Sequence, residues 1–516
     1  MPSRWQRIKA SIFPVRSPVY AAAPTQKVRL NLAGRSSSPP SYTIDPEKEG
    51  PQINETIVSQ PEELSTAKKP NAFDKITRLA GSSGVFFAML AIIAAWAILG
   101  IVYGTTDTWQ IMMQNASSIQ VYVTDILLIR QQQNASRALM TTLAEVQSRN
   151  KTCERLLRQI PGCQWMETHK EEPKELLVNG RPVEDEVEEN LYIVNGKPSR
   201  FQYVWGKTCH AVASVLGSLW AFIFYWIGVF VWVAIGKLYD FSDTWQLYIN
   251  TAVAVVLTFT SVFLQNIQQQ QEDSLEKSLE YALKIDAEVE HRLRELTEDF
   301  KPNPIFEITP PSRGRLERMI DNFADVMGSL VGVIISLAVT AAWVAVGPLL
   351  QFSDNWWLII GTFTGLVGFI DGFVLRNLYC REEKTVGDEF KRVAWSDRKV
   401  LDLLNVEVPQ KTKGKRKLDT RISIATGDAL GSTVASVGAV GFVVLLIAIA
   451  SAMQWSTTGQ LLCNTPTMII EGFLLLVLIQ AHNIANEERG VEFNGVLKRR
   501  LLLNSYVHSL DEYLYI

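Results

Sequence analysis

Apolar residues in this chain are gathered in blocks about 20 residues long, the length of helix that crosses a bilayer. The clearest blocks are VFFAMLAIIAAWAILGIVY at 85–103 and VASVLGSLWAFIFYWIGVFVWVAI at 212–235. The segments between blocks are strongly polar, so the mean hydropathy of the 516-residue chain is only +0.08. This distribution excludes a single soluble globule, a disulfide scaffold and a fully disordered chain.

The candidate spans occur in pairs, and a short loop joins the two members of each pair. Span 110–129 is interrupted by Gln114, Asn115, Gln120 and Asp125, and its assignment rests on its similarity to the second spans of the other pairs. We therefore expect an all-α membrane protein with eight transmembrane helices, at 85–103 and 110–129, 212–235 and 247–264, 329–350 and 356–375, and 434–452 and 461–480.

The polar segments suggest the domain boundaries. We predict a disordered cytosolic tail over 1–71, in preference to the mitochondrial transit peptide that its acid-free start also resembles. Helical spacing in 272–298 indicates a cytosolic amphipathic helix that packs on a sibling, caps the inner mouth or forms a coiled-coil arm. The basic run 411–417 is expected to contact anionic lipid. The four hairpin repeats are predicted at 72–160, 208–298, 320–385 and 423–516, with cytosolic linkers at 161–207, 299–319 and 386–422.

The distribution of charge predicts the orientation in the membrane. Of 50 Lys and Arg residues, only Lys237 lies in a short loop, so the positive-inside rule places both termini and the long segments in the cytosol. A net charge of −3 gives no basic field that would favour nucleic acid as a partner. The five cysteines have no CxxC spacing, and we interpret them as free thiols in a reducing compartment.

The four pairs align on their outer loops, which predicts an internal repeat. The loops read TTDTWQIMMQN at 105–115, FSDTWQLYINT at 241–251, FSDNWWLIIGT at 352–362 and WSTTGQLLCNT at 455–465. Asp107, Asp243, Asp354 and Thr457 coincide, and a tryptophan lies 11 residues before each of the three Asp residues. Because each unit crosses twice, the repeats are parallel, and we expect them to close into a ring around a pseudo-fourfold axis.

A polar stripe on each second helix predicts that these helices line the ring and that the first helices face lipid. The stripe contains the residues 7, 11, 14 and 18 positions after the aligned residue, which share one helical face. Lipid does not accept such a face. In the third copy the stripe consists of glycines, for which close helix packing is the alternative interpretation. The predicted pathway residues are Asp125, Asp371, Glu471, Gln114, Asn250, Asn464, Ser118 and Ser261.

Asp125, Asp371 and Glu471 are the candidate transient metal ligands, because an ionisable group in mid-membrane is costly unless it serves a pathway. A structural or proton-linked role is the alternative, and Asp371, one place off the stripe, has Arg376 as another potential partner. Oxygen and amide ligands suit labile divalent ions such as Fe(II), Mn(II) or Zn(II).

Three aspartates at the outer ends of the second helices have two possible roles. Asp107, Asp243 and Asp354 would raise the local cation concentration at an outer mouth. Alternatively, each carboxylate caps its helix within a pattern that includes Ser242 or Ser353. We favour the cap as the local role, and the two roles are compatible.

The string FSDTWQLYINTAVAVVLTFTSVFLQNIQQQQEDSLEKSLEYAL at 241–283 resembles the low-affinity iron permease family, and FDKITRLAGS at 73–82 with TDTWQ and RQQQNASRAL is similar to the same module. The resemblance covers about four fifths of the chain. It implies low-affinity, ATP-independent uptake of Fe(II) at the plasma membrane, with leakage of copper, zinc and other divalent metals. The third copy has Trp357 in place of Gln and the fourth lacks Asp and Trp, so we expect a chemically unequal pathway.

The sequence therefore predicts a transporter of divalent metal ions and not an enzyme. No tightly bound cofactor is expected, and the predicted partners are the bilayer and the transported ion. The chain has no GxxxxGK[ST] motif for ATP-driven pumping and no TVGYG-like potassium filter. The competing hypotheses are a non-transporting membrane scaffold or sensor, and a channel for another small ion. The oligomeric state is left open.

Overall fold

The structure is a computed structural model that describes residues 18–26, 72–160, 177–178, 181–182, 200–404, 406 and 418–514. Two short antiparallel ladders pair β1 with β4 and β2 with β3. The strands are β1 (Val19–Ala21), β2 (Leu177–Val178), β3 (Arg181–Pro182) and β4 (Phe306–Ile308). The helices are α1 (Ala72–Ala80), α2 (Ser83–Tyr103), α3 (Asp107–Leu157), α4 (Arg200–Leu216), α5 (Leu219–Ile235), α6 (Asp243–Thr297), α7 (Arg315–Met327), α8 (Leu330–Val346), α9 (Asp354–Asp402), α10 (Leu418–Leu430), α11 (Thr433–Ala452) and α12 (Thr457–Leu514).

The helices occur as four similar triplets, each with a short helix, an apolar helix and a long helix. A Gly-Ser pair separates the first two members of every triplet. The serine caps the apolar helix, as where the Ser82 hydroxyl accepts a hydrogen bond from the Val85 N–H and that of Ser218 from the Ala221 N–H. At the break of the third triplet, α7 and α8 differ in direction by 67°. The short helices thus precede the apolar ones at an elbow.

The long helices do not end at the membrane surface. They contain 51, 55, 49 and 58 residues, and at about 1.5 Å per residue even the shortest is about twice as long as the hydrocarbon core is thick. The predicted amphipathic helix over 272–298 is the C-terminal part of α6 and packs against sibling helices. The third long helix, α9, runs through the repeat boundary predicted at 385 and ends at Asp402.

The four long helices form a bundle in the order α3–α6–α12–α9, so the third and fourth repeats exchange places relative to chain order. Each apolar helix packs outside the ring against the long helix of a neighbouring repeat. Only 11% of the apolar window in α2 is buried, compared with 78% in α9 and in α12. As predicted, the long helices are therefore inside the bundle and the apolar helices are outside it.

The Gly-Ser elbows connect the repeats in a closed cycle. The elbow of the first repeat packs on α6, that of the second on α12, that of the fourth on α9, and that of the third on α3. A Cβ on the elbow glycine would meet the neighbouring long helix at about 3 Å or less, so the close approach requires glycine. Amides of the long helices complete two of these contacts, since Asn266 Nδ2 donates to the Gly81 carbonyl and Asn377 Nδ2 to that of Gly431.

By length and hydropathy, six helices of the described residues can cross a membrane, or seven if α7 and α8 are one bent span. Among the helices that carry the eight predicted spans, those that fall short are α3, with its buried polar residues, and α8, which has only 17 residues. The chain is thus a helical multi-pass membrane protein. The eight-crossing arrangement is taken up below as a proposal.

The C-terminal halves of the long helices share one apolar core, and part of the N-terminal segment is attached to it. β1 pairs with β4, Ala21 and Ala23 are buried, and the Ala23 N–H donates to Ser148 Oγ. The prediction of a disordered tail over 1–71 is therefore wrong for 18–26, because these residues gain a strand partner and a buried apolar contact. The rest of that segment and the basic run 411–417 lie outside the described residues.

Candidate polar pathway

The bundle of long helices buries every residue of the predicted pathway. Levels along the bundle are counted here from the first residue of each long helix, Asp107, Asp243, Asp354 or Thr457. Level 7 holds Gln114, Asn250 and Asn464, level 11 holds Ser118, level 14 holds Glu471, level 17 holds Asp371, and level 18 holds Asp125 and Ser261. The same periodicity that places these side chains on one stripe of each helix turns them into the bundle.

The outer levels form a layer rich in amides that is only partly hydrogen-bonded. Gln114 Nε2 donates to the Leu247 carbonyl at 3.3 Å and to Thr251 Oγ1 at 3.1 Å, so it joins α3 to α6. Both amide atoms of the fully buried Asn250 have no partner among the described residues, and neither has Asn464 Oδ1. Polar donors and acceptors are therefore left over in this layer.

The glycines of α9 make room for polar side chains of its neighbours. A Cβ at Gly361 would lie 2.5 Å from Asn115 Oδ1, and one at Gly365 would lie 2.5 Å from Asn464 Oδ1. A Cβ at Gly368 would lie 2.6 Å from Glu471 Oε1. The glycine stripe is therefore close-packed, as the helix-packing interpretation predicts. The atoms that pack against it are amide and carboxylate oxygens of the neighbouring helices.

Three buried carboxyl groups lie below the amide layer and belong to three different helices. Neither oxygen of Asp125 nor of Asp371 has a hydrogen-bond partner among the described residues. Asp125 and Asp371 both lie within electrostatic reach of Glu471 and of each other. In the described part of the chain, no three His, Cys, Asp or Glu side chains lie close enough together to hold a metal ion.

The alternative pairing of Asp371 with Arg376 is wrong. Both Asp371 oxygens lack a hydrogen-bond partner among the described residues, and the Arg376 guanidinium lies 5.9 Å from the ring centroid of Tyr379. Arg376 is five residues further along α9, so its side chain belongs to a deeper level of the bundle.

At the starts of α3 and α6, the capping role predicted for the aspartates belongs to the residue before each of them, whereas Ser353 before α9 makes no side-chain capping hydrogen bond. Thr106 and Ser242 accept hydrogen bonds from the N–H groups of Trp109 and Trp245. The aspartates are the first residues of the helices, where a carboxylate also favours the helix dipole. Asp107 is exposed, and Asp243 Oδ1 accepts a hydrogen bond from Thr458 Oγ1 at 3.0 Å. Asp354 begins α9, and its side chain lies outside the described residues.

Sequence reasoning missed the partner of the tryptophan in the outer-loop motif. In three repeats this tryptophan stacks on one in the preceding apolar helix, 13 residues earlier, and each indole N–H donates to the other residue's carbonyl. The constant spacing of 13 residues was the available signal. In the fourth repeat the positions are Leu446 and Gly459, and Cys463 Sγ lies 3.1 Å from the Leu446 carbonyl. The stacked pairs are Trp96–Trp109, Trp232–Trp245 and Trp343–Trp356.

Sequence reasoning also missed a polar layer at level 25, near the inner end of the predicted spans. Gln132 and Gln268 occupy this level on α3 and α6, with Tyr379 and His482 on α9 and α12. Gln268 Nε2 donates to Gln132 Oε1 at 3.4 Å, Gln132 Nε2 donates to Glu382 Oε2 at 3.2 Å, and the rings of Tyr379 and His482 stack. Its sequence signal is the glutamine run that follows the span in the first two repeats.

Comparison with known proteins agrees with these observations. The family model for the low affinity iron permease matches the chain in four segments, 71–164, 205–300, 316–398 and 419–500, one for each helix triplet. The chain is 41% identical over 435 residues to a low-affinity iron/zinc ion transport protein of Schizosaccharomyces pombe, covering 84% of this chain and 72% of the relative. It is 38% identical over 479 residues to a low-affinity Fe(2+) transport protein of Saccharomyces cerevisiae, covering 86% and 84%.

No solved structure matches the chain significantly. The family model nevertheless covers more than half of the sequence, and both relatives align over most of their own length. The chain therefore belongs to the low affinity iron permease family.

Proposed function

We propose that this chain conducts Fe(II) and other divalent metal ions, among them zinc, manganese and copper, into the cell with low affinity and without ATP. The conduction path is the axis enclosed by α3, α6, α9 and α12. Two relatives that align over most of this chain are named for low-affinity iron or iron/zinc transport, which supports iron and zinc among these ions.

The observation that carries the proposal is the set of buried polar atoms without protein partners. Asn250 and the carboxylates of Asp125 and Asp371 lie inside an apolar bundle with no hydrogen bonds from the described residues. An unsatisfied buried polar group costs about 1–3 kcal/mol, and an ionisable group at the centre of a membrane about 2.5–3.5 kcal/mol on insertion scales. Water and a passing cation would satisfy these groups, and a dry structural core would not need them.

In this proposal the four triplets cross the plasma membrane eight times around a pseudo-fourfold axis, with both termini in the cytosol. The cyclic packing of the elbows supports the fourfold arrangement. Lys237 is the only Lys or Arg residue in the short loops, and this near absence of positive charge supports the orientation. The path is chemically unequal, because α3, α9 and α12 contribute carboxylates while α6 contributes Asn250 and Ser261.

The outer aspartates would attract cations to the mouth, and Asp125, Asp371 and Glu471 would act as transient ligands below it. These groups do not form a three-ligand metal centre in the described residues, which suits weak and rapidly reversible binding. Membrane potential would supply the driving force, at about 2.3 kcal/mol per charge for each 100 mV and twice that for a divalent ion.

Flux into liposomes that contain a trapped metal-sensitive dye tests the proposal. We expect Asp125→Asn, Asp371→Asn and Glu471→Gln to lower Fe(II) or Zn(II) flux at least several-fold. Asp273→Asn is the matched control, because this carboxylate of α6 is half exposed and pairs with Arg78. Unchanged flux in all three variants would remove the pathway assignment.

Two other results would reject the proposal itself. Absence of metal-dependent flux in the unmodified protein would favour the non-transporting scaffold or sensor. Flux of monovalent ions in preference to divalent metals would indicate a channel for another ion.

A further inference from the structure

Four leucines occupy one level of the bundle directly below the buried carboxylates. Each occurs 21 positions after the first residue of its long helix, so all four repeats have the same residue at this level. All are buried, and all belong to one contiguous apolar cluster. They are Leu128, Leu264, Leu375 and Leu478.

The leucines continue the stripe that carries the polar residues. The stripe descends through levels 7, 11, 14, 18, 21 and 25, in alternating steps of four and three residues. This spacing keeps one face of a helix turned toward the other helices of a bundle. The leucines are therefore on the same inward faces as the carboxylates above them and the glutamines below.

The leucine level separates two polar layers. Asp371 and Asp125 lie above it at levels 17 and 18, and the layer of Gln132 and Gln268 lies below it at level 25. A closed ring of large apolar side chains excludes water, and an ion that has shed its water cannot cross it without large cost. The axis is thus interrupted where the two polar layers approach each other.

We propose that Leu128, Leu264, Leu375 and Leu478 form the gate of the conduction path, closed in this structure. This inference rests on the proposed function, and it adds that permeation requires the four long helices to move apart at this level. The carboxylates above the gate hold the ion, and the amides below receive it.

Truncation of a gate leucine tests the inference in the liposome assay. We expect Leu478→Ala to raise the resting flux of divalent metal several-fold, since a smaller ring admits water. Leu476→Ala is the matched control, because Leu476 is equally buried on the same helix but packs against Phe222 of an apolar helix. Leu264→Ala provides the same test from another helix.

The gate assignment would be overturned if Leu478→Ala and Leu264→Ala both gave a flux equal to or lower than that of the unmodified protein. Each variant must elute as a single species for this comparison. Equal rises in Leu476→Ala and Leu478→Ala would also overturn it, because they would indicate general loosening. Absence of flux in the unmodified protein would instead reject the proposed function.

A second inference concerns the cytosolic end of the same axis, where a different set of residues closes the bundle. At level 43 the four helices contribute Asn150, Asp286, Asp397 and Arg500, all buried. Arg500 Nη1 donates to Asn150 Oδ1 at 2.5 Å, Arg500 Nη2 donates to Asp397 Oδ1 at 2.6 Å, and Arg500 lies 3.1 Å from Asp286. Because α12 and α3 are diagonal in the ring, Arg500 spans the axis.

An apolar level lies above this ion cluster. Level 36 is occupied by four buried apolar residues of the core that the C-terminal halves of the long helices share, which is cytosolic in the proposed orientation and is called the cytosolic core. They are Leu143, Leu279, Phe390 and Phe493. An ion that has passed the leucine gate meets first this apolar layer and then the ion cluster. The axis therefore does not continue into the cytosol.

We infer that metal ions leave sideways, between level 25 and level 36, at the inner surface of the membrane. The half-buried Glu272 lies in this interval on α6, accepts a hydrogen bond from Gln268 and is within electrostatic reach of Arg489 on α12. Its carboxylate connects the glutamine layer to the side of the bundle. This inference also rests on the proposed function.

Charge reversal at the exit tests this route. We expect Glu272→Lys to lower metal flux several-fold, whereas Glu276→Lys, one helical turn further along and exposed beside Arg78, leaves it unchanged. Leu143→Ala combined with Phe390→Ala should leave the flux unchanged, since the cytosolic core is outside the route. A rise in flux on opening that core, or equal effects of the two glutamate variants, would overturn the lateral exit.

Discussion

Trp232 and Trp245 stack face to face, with ring centroids 3.9 Å apart and an interplanar angle of 6°. Each indole N–H donates to the other residue's backbone carbonyl, at 3.1 and 3.0 Å. The pair fixes the end of an apolar helix to the start of the long helix beside it. Repetition of this pair in the first and third repeats identifies it as the structural reason for the tryptophans at both positions.

Replacement of Trp245 by Phe should therefore destabilise the protein. Phenylalanine keeps an aromatic ring but removes the N–H that donates to Trp232, so we expect a loss of about 1–2 kcal/mol. Thermal unfolding in detergent measures the change. Trp395→Phe is the control, because Trp395, in the C-terminal part of α9, is 66% exposed. A similar fall in stability in both variants would contradict the assignment.

Addition of a methyl group at Gly365 should distort the amide layer. The new Cβ would lie 2.5 Å from Asn464 Oδ1, and we expect Gly365→Ala to cost about 1–3 kcal/mol and to lower metal flux. Gly228→Ala on α5 is the matched control, since a Cβ there meets nothing within 4 Å and alanine favours the helix by about 0.8–1 kcal/mol. A stable and fully active Gly365→Ala protein would reject the packing described here.

The amide of Asn250 should be dispensable for stability but needed for flux. Both of its polar atoms are buried without a partner in the part of the chain that the structure describes. Asn250→Ala should therefore change the free energy of unfolding by less than about 1 kcal/mol while flux falls. Asn266→Ala on the same helix is the contrast, because its Nδ2 donates to the Gly81 carbonyl at 2.9 Å and its loss should cost about 1–3 kcal/mol. If Asn250→Ala destabilised the protein more than Asn266→Ala, Asn250 would have a structural role.

The ion cluster at level 43 should make stability depend on pH. Burial raises the pKa of Asp286 to about 6, although Arg500 and Arg149 oppose the shift while Asp397 and Glu290 add to it. The folded state therefore binds this proton more tightly than the unfolded chain does. The resulting stabilisation is present at acidic pH and is lost as pH rises from about 4 to about 6, by an amount on the order of 2 kcal/mol.

Melting temperature measured between pH 4.5 and pH 7 checks this prediction. Asp286→Asn should remove that part of the pH dependence, because asparagine does not titrate and Arg500 keeps Asp397 as its partner. Asp273→Asn, which alters a half-exposed carboxylate on the same helix, should leave the dependence intact. Identical pH profiles for wild type and Asp286→Asn would contradict the prediction.

Several features of the candidate path were readable from the sequence. The stripe containing Gln114, Asn250 and Glu471 follows from helical spacing alone, and the structure buries it as predicted. The sequence did not reveal that Asp371 makes no ion pair with Arg376, because the pairing depends on which level of the bundle each side chain reaches. Nor did it show the leucine level, because leucine in an apolar span looks ordinary until four helices are aligned.

The sequence by itself determined that this protein is helical, lies in a membrane and repeats a motif four times, since hydropathy and periodicity are local properties of a chain. Only the tertiary structure decided the ring order α3–α6–α12–α9, the continuation of the long helices into one shared apolar core, and the attachment of β1 to β4. These features depend on contacts between residues far apart in the chain. Such contacts are decided by which surfaces fit together, as where Arg500 reaches Asn150 across the axis.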